Sequence, residues 1–318
     1  MKPYFFISAL AILAAISHPI LAQEDGIKIL APASPGGGWD QTARAIQQAL
    51  YQAQLEKSVH VSNVPKAGGM IGLAQFASQA EGDPHSWMIG GFVMVGAGLI
   101  NKSRVNLSRL TPLARLTEEY ELVVVSASSP HKNLRDLLAA MKADPGSVAW
   151  AGGPAGGIEH ITVGRLAQEG GADPARMNYV PFSGGGDALA ALMGGQVAAS
   201  VGVLSEWEYW IRAGKIRALC ITAAERLAHI DIPTCREAGS NVILANWRGV
   251  FGGPDLSPTD RAKAVALLDK MVASEEWKKI LKQKKWLDSY ISGDLFIAFI
   301  AEENQRIERV LKSIGLVR

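Results

Sequence analysis

Three glycine-rich turns constrain this chain more than any other feature. The first runs Pro32-Ala33-Ser34-Pro35-Gly36-Gly37-Gly38-Trp39-Asp40. The second is Gly152-Gly153-Pro154-Ala155-Gly156-Gly157-Ile158-Glu159, and the third is Phe182-Ser183-Gly184-Gly185-Gly186-Asp187. Each follows a short strand-like run and opens a segment with helical spacing. Ile27 to Ala31 precedes the first turn, and Ala43, Ile46 and Leu50 follow it at helical intervals within Asp40 to Leu55. A strand that ends in glycines and gives way to a helix is a βα unit. Several such units in one chain imply an α/β fold with mostly parallel sheets flanked by helices.

The rest of the chain keeps that alternation. Val59 to Val64, Trp87 to Gly91, Glu121 to Ser126, Ser147 to Ala151, Met177 to Pro181 and Gln196 to Val201 read as strands. Asn133 caps a helix whose apolar stripe is Leu134, Leu137, Leu138 and Met141. Ser257 is an N-cap with Pro258 in the first helical position. The last helix runs from Gly293 to Ile314, and Gly315 is its stop signal. No internal repeat and no Ser/Gly-rich linker is visible. Length nevertheless calls for two domains. Domains without a linker are joined by strand-like crossovers, and the candidates are Glu121 to Ser126 and Asn246 to Gly252.

The N-terminus points to export. Lys2 is a positive start, Tyr4 to Ile16 is apolar except for Ser8, and Ser17-His18-Pro19 precedes Ile20-Leu21-Ala22. This pattern is that of a signal peptide of residues 1–22 cleaved after Ala22, which would place the mature protein in the periplasm. The apolar run is 13 residues, short of the roughly 20 that span a bilayer. The net charge of +2 argues against a nucleic-acid partner, which needs a concentrated basic face. The lysines from Lys278 to Lys285 share an amphipathic helix with Trp277, Ile280 and Leu281 and read as its solvated face. Cys220 lies in the apolar run Ile216 to Ile221 and reads as core filler rather than as half of a disulfide with Cys235. Two thiols at this spacing are not a zinc site.

The glycine turns favour anions. A helix start carries unpaired N–H groups and the positive end of the macrodipole. Glycine lets a ligand approach the backbone closely. One helix end contributes about 0.3–1 kcal/mol toward an anion, so two or three converging ends can hold a small carboxylate without a basic side chain. None of the three loops contains Arg or Lys, although Arg44 lies one turn into the first helix. A tight turn alone would explain any one of them. Nucleotide motifs are absent: there is no GxxxxGK[ST], and none of the turns fits GxGxxG with its acidic partner. An enzyme is disfavoured. Ser183 lacks the leading glycine of a nucleophile elbow, there is no HExxH, and His60, His85, His131, His160 and His229 are scattered. No metal or other cofactor is expected.

The opening Ala31 to Asp40, followed by Thr42-Ala43-Arg44, resembles the receptors of tripartite tricarboxylate transporters, within the wider Bug family of binding proteins. Further matching strings are Asn63 to Gly72, Tyr179 to Gly186, Leu192 to Val197 and Ala245 to Phe251. Together they span essentially the whole mature chain. The resemblance implies a two-domain Venus-flytrap of the type II-like binding proteins, with residues 23–124 and 249–318 in one domain and 125–248 in the other. It implies capture of a small carboxylate, citrate or a related di- or tricarboxylate, by backbone amides and waters. Delivery would be to the integral-membrane permease subunits of a tripartite transporter, by a monomeric receptor. An aromatic carboxylate or amino acid is the alternative ligand, and a sensor for a signalling partner is the alternative role. The implied contacts are Ser34, Gly37, Gly38, Asp40, Gly69 and Met70 from the first domain. Those from the second are Ala155, Gly156, Ser183, Gly184 and Gly185. Asp40 is awkward beside an anion and also suits a purely structural cap. Pro154 stands where relatives often carry serine. Glu159-His160, Glu206 and Arg248 are weaker candidates, and Trp39 and Trp247 read as packing residues.

Overall fold

The computed structural model describes residues 26–228 and 230–318. The expected signal peptide lies outside them, as does His229. Among the described residues, no helix is long and apolar enough to cross a membrane.

The elements in the first part of the chain are β1 (Ile27–Ala31), α1 (Gly38–Gln52), β2 (Val59–Asn63), α2 (Met70–Gln79), β3 (Ser86–Gly91), α3 (Phe92–Ile100) and β4 (Thr111–Ser126). The middle holds α4 (Leu134–Ala143), β5 (Ala149–Gly152), α5 (Ile158–Glu169), β6 (Asn178–Pro181), α6 (Gly185–Met193), β7 (Ala199–Val203), α7 (Leu204–Arg212) and β8 (Ile216–Ile221). The chain closes with β9 (Ala245–Gly252), α8 (Pro258–Ala273), α9 (Glu275–Lys284), β10 (Leu287–Ser292) and α10 (Gly293–Ser313).

Two trios of parallel strands organise the molecule. One has the order β2-β1-β3 and the other β6-β5-β7. Antiparallel strands complete each half, so both sheets are mixed. β9 pairs with β3 and with the first part of β4, and β10 pairs with that same part of β4. The second part of β4 pairs with β7 and β8. The 16-residue β4 therefore belongs to both sheets. It changes sheet between Tyr120, which pairs with Ala245 of β9, and Glu121, which pairs with Val203 of β7.

Both halves are built by the same physics. Trp87, Met88 and Ile89 of β3 and Val123, Val124 and Val125 of β4 are buried on both faces, as strands covered by helices on two sides must be. α1 turns Ala43, Ile46 and Leu50 inward at helical spacing. Burying a side chain such as Ile46 or Leu50 contributes about 1.5–3 kcal/mol. In the second half, Leu189 and Leu192 of α6 and Trp207 of α7 cluster with Leu122, Val124 and Ile221. On α9, Trp277, Ile280 and Leu281 are buried, opposite its lysines.

Two sequence expectations change. Cys220 and Cys235 form a disulfide, with Cα atoms 4.9 Å apart. Cys220 is fully buried as expected, but the chain after β8 folds back so that Ile221 and Thr234 form a bridge, which brings Cys235 alongside. The strand expected over Glu121 to Ser126 is the second part of a much longer one. Its first part escapes a period-2 reading because the register shifts between Pro112 and Ala114 and again between Arg115 and Thr117. Such bulges break the alternation of inward and outward residues.

Candidate ligand-binding site

The strand orders 2-1-3 and 6-5-7 each place a topological switch point beside the first strand of the trio. That is where open α/β sheets bind ligands, beyond the carboxyl ends of the strands. The first two glycine turns leave β1 and β5 at these points, and they are near copies. Gly36 and Gly156 both have left-handed backbones, with φ of 83° and 80°. Gly37 N–H donates to the Ser34 carbonyl, and Gly157 N–H donates to the Pro154 carbonyl. Gly36 N–H donates to Asp40 Oδ2 at 2.8 Å, and Gly156 N–H donates to His160 Nδ1 at 3.1 Å.

These turns, with the third one, face a single cavity of about 460 Å³. Gly37, Gly38 and Trp39 line it from α1, Gly69 from the start of α2, and Pro154, Ala155 and Glu159 from the start of α5. Ser183, Gly184, Gly185 and Asp187 line it from the start of α6, and Val203 and Glu206 from the start of α7. Asn246 and Arg248 reach it from β9. The helix starts at the cavity lack side-chain caps, as do α3, which reaches the lining at Val93, and α10, which does not line it. α1, α2, α5, α6 and α7 have no side-chain cap. By contrast α4, α8 and α9, which contribute nothing to the cavity lining, are capped by Asn133, Ser257 and Ser274. First-turn N–H groups have no partner within their own helix. At α1, α2, α5, α6 and α7 no N-cap side chain satisfies them, whereas at α4, α8 and α9 one does.

Of the residues implied by resemblance, Gly37, Gly38, Gly69, Ala155, Ser183, Gly184 and Gly185 meet at this cavity. Ser34, Asp40, Met70 and Gly156 are not part of its lining. The Ser34 carbonyl closes the first turn. Asp40 is buried beneath that turn, where it also accepts from Arg44 Nε at 3.0 Å and from Asn63 Nδ2 at 2.9 Å. Burial opposes its ionisation, but Arg44, the Gly36 amide and Asn63 outweigh burial and hold its carboxyl below the ordinary range. Met70 packs toward Gly98 of α3. Gly156 serves the turn and meets the backbone of Gly96.

The cavity holds more charge than its glycine turns suggest. Arg248 is buried and ion-paired with Glu119 of β4, and its guanidinium lies against Gly38, where a Cβ would sit 2.6 Å from Nη2. Burial raises the Glu159 carboxyl to about 7, against the opposing pull of its own amide and of Arg248. Burial likewise raises Glu206 to about 7, with Arg248 opposing. Glu121, wholly buried behind the lining, is pushed well above its ordinary value by burial and by the nearby Glu159 and Glu119. His160 stacks on Tyr179 with ring centroids 4.1 Å apart, and burial lowers its pKa to about 4. It is a neutral cap for its own turn. Lys66, Asn101 and Asn246 also line the cavity and carried no signal in the sequence beyond their neighbourhood.

The halves touch around this cavity. A Cβ on Gly96 of α3 would lie 1.9 Å from the Gly156 carbonyl oxygen, so the two backbones are in contact. Lys285, just after α9, forms an ion pair with Glu208 of α7. Two α/β lobes with their uncapped helix starts turned into a shared cavity define a ligand-binding protein of the two-domain periplasmic type. The model of the tripartite tricarboxylate transporter family receptor matches residues 42–316, and the chain belongs to that family of solute-binding receptors. Protein BugT of Bordetella pertussis is 28% identical over 98% of this chain and 95% of its own length. Among solved structures, MatC from Rhodopseudomonas palustris with bound malate superposes with a TM-score of 0.79 at 25% identity, covering 90% of this chain and 98% of that one. The periplasmic binding protein BugD gives a TM-score of 0.82 at 20% identity, covering 92% and 98%.

Proposed function

We propose that this protein is a periplasmic, non-enzymatic receptor that captures a small carboxylate between its lobes and hands it to the permease subunits of a tripartite transporter. The observation that carries the reading is the convergence of five helix starts without side-chain caps on one cavity. α4, α8 and α9 are capped by side chains and α10, which is not, lies away from the cavity, so it is the convergence of the helix starts that marks the site. Free amides at a macrodipole's positive end suit a carboxylate. The malate in MatC is consistent with a ligand of this class.

We place the division between the lobes on β4 near Tyr120 and just before β9 near Ala245, where β4 passes from β9 to β7. Each lobe supplies part of the site, so a ligand that touches both stabilises the closed form selectively. The buried cation of the cavity, Arg248, is already matched by Glu119. That favours a ligand with one or two carboxylates over a tricarboxylate.

The test is a thermal-shift screen of the exported form, unfolded and refolded to strip bound ligand, against citrate, tricarballylate, succinate, malate, glutamate, nicotinate and benzoate. A ligand at 100 times its dissociation constant adds about 2.7 kcal/mol. For domains of this size that raises the midpoint by several degrees, at roughly 2–4 °C per kcal/mol. A selective rise with one carboxylate supports the reading. A refolded protein that responds to none of them overturns it.

A further inference from the structure

The cavity is backed by more acids than cations. Glu119, Glu121, Glu159 and Glu206 gather around one guanidinium, that of Arg248. Arg248 is ion-paired with Glu119, whose Oε2 also accepts from Ser205 Oγ at 2.5 Å. Glu121 is wholly buried on β4; one oxygen accepts from Asn246 Nδ2 at 3.2 Å and the other has no partner. Glu159 Oε2 is likewise shut from solvent without a partner. Its carboxyl lies against Gly153 and Gly157, where a Cβ would meet its oxygens at 2.5 and 2.9 Å. Glu206 Oε2 lies so close to Gly185 that a Cβ there would sit 1.9 Å away. Glu159 stands in the first turn of α5 and Glu206 in that of α7, both at the cavity.

The other titratable groups nearby do not neutralise this acidic pair. Tyr179 of β6 and His160 of α5 are held neutral, chiefly by burial. Lys284 of α9 donates to Gln41, and Lys285 is ion-paired with Glu208. Asp187 of α6 and Lys66 are exposed. Among the described residues, neither Glu159 nor Glu206 forms a salt bridge. Acids crowded around one cation cannot all be ionised, because like charges at short range repel in a site shielded from water. A carboxylate ligand at the starts of α5 and α7 adds one more negative charge to this group. The conflict is relieved when the nearest acids take a proton from solvent. Protonation also turns an acceptor into an O–H donor, and an acid facing a carboxylate makes a short, charge-assisted hydrogen bond.

We propose that Glu159 and Glu206 bind the ligand in their acid forms, so that each carboxylate captured carries a proton from solvent into the cleft. The inference rests on the receptor reading above. Burial raises both carboxyls to about 7 against the pull of Arg248, so the empty cleft is part-ionised at neutral pH and still has a proton to take up. Capture is thus favoured on the acid side of neutrality and release on the alkaline side.

The experiment is titration calorimetry of the stripped protein with malate, succinate and benzoate, which are themselves ionised above neutral pH. Runs at one pH in two buffers of different ionisation heat count the protons directly. At about pH 7.5, at least about half a proton is expected to be taken up per ligand bound. Affinity should fall at least about tenfold between pH 7 and 9. Glu159→Gln with Glu206→Gln should cut that fall to about threefold or less, because an amide donates without taking up a proton. Each single variant should remove part of it, which keeps the assignment testable if the double variant fails to fold. Binding without proton uptake, or affinity that rises with pH, overturns the proposal and leaves the receptor reading standing. Uptake undiminished in the variants places the proton on another group and overturns the assignment to this pair. Failure of all three carboxylates to bind overturns both readings.

Discussion

At the scale of single residues, Arg248 holds the cleft's charge together. Its guanidinium is shielded from water, ion-paired with Glu119, and accommodated by the missing side chain of Gly38. Removing one member of such a pair leaves a buried charge uncompensated, which costs about 3–5 kcal/mol. Arg248→Met is therefore expected to lower the unfolding free energy by about that amount in urea denaturation. Adding Glu119→Gln should recover most of the loss, because the stranded charge is then gone. If the double variant is no more stable than the single one, Arg248 acts through its packing rather than its charge. Asp40 shows the opposite case. The family resemblance implied it as a ligand contact, although a carboxylate is awkward beside an anion. A carboxylate that already accepts from Gly36, Arg44 and Asn63 has little capacity left for anything else.

At the scale of elements, the repeated unit is the turn. Residues 34–40 and 154–160 share backbone path and hydrogen bonds, although only the two turn glycines coincide in type. That repeat was invisible in the sequence because different side chains, Asp40 and His160, do the same job of accepting the turn's N–H. The closing contact between α3 and the second turn gives a prediction. Gly96→Ala places a Cβ where the Gly156 carbonyl stands in this structure. Alanine also favours helix over glycine by about 1 kcal/mol. The variant should bind the best wild-type ligand at least tenfold more weakly by calorimetry, while the ligand-free protein melts no lower than wild type. A loss of both affinity and stability would mean that Gly96 serves the fold and not closure. The disulfide gives another. Its 15-residue separation corresponds to about 3 kcal/mol in the loop-entropy account. Cys220→Ala with Cys235→Ala should lose that much in urea denaturation, and an unchanged midpoint would rule out oxidation of the pair. The glycine turns and caps were legible because each is set by local chemistry. β10 and the first part of β4 were not, since bulges blur their period. The acidic pair was not either: Glu159 and Glu206 are far apart in sequence, and only the folding of the second lobe brings α5 and α7 to one cavity.

At the scale of the whole molecule, burying acids in a cleft makes stability depend on pH. Glu159 and Glu206 have folded-state values near 7, raised by burial from about 4.5. The folded protein holds more protons than the unfolded chain between those values. Their contribution is thus fully present below about 4.5 and is lost as pH rises through 7. His160 has the reverse sense. Its value is lowered to about 4 by burial, so the stability it lends is present above about 6.5 and is lost as pH falls toward 4. The two effects oppose each other between 4.5 and 6.5, but two acids outnumber one histidine, so a net fall of about one proton's worth, roughly 1.4 kcal/mol per pH unit at most, is expected there. Above 6.5 only the acids remain. From pH 6.5 to 8.5 the two together should lose on the order of 1–2 kcal/mol, a fall of several degrees in the melting point of the ligand-free protein. Differential scanning calorimetry across that range checks the sign. Glu159→Gln with Glu206→Gln should flatten the fall, because a neutral amide has no proton to give up. If the wild-type midpoint instead rises toward pH 8.5, the acids are already ionised and paired when the cleft is empty, and a cation other than Arg248 must be found to hold them.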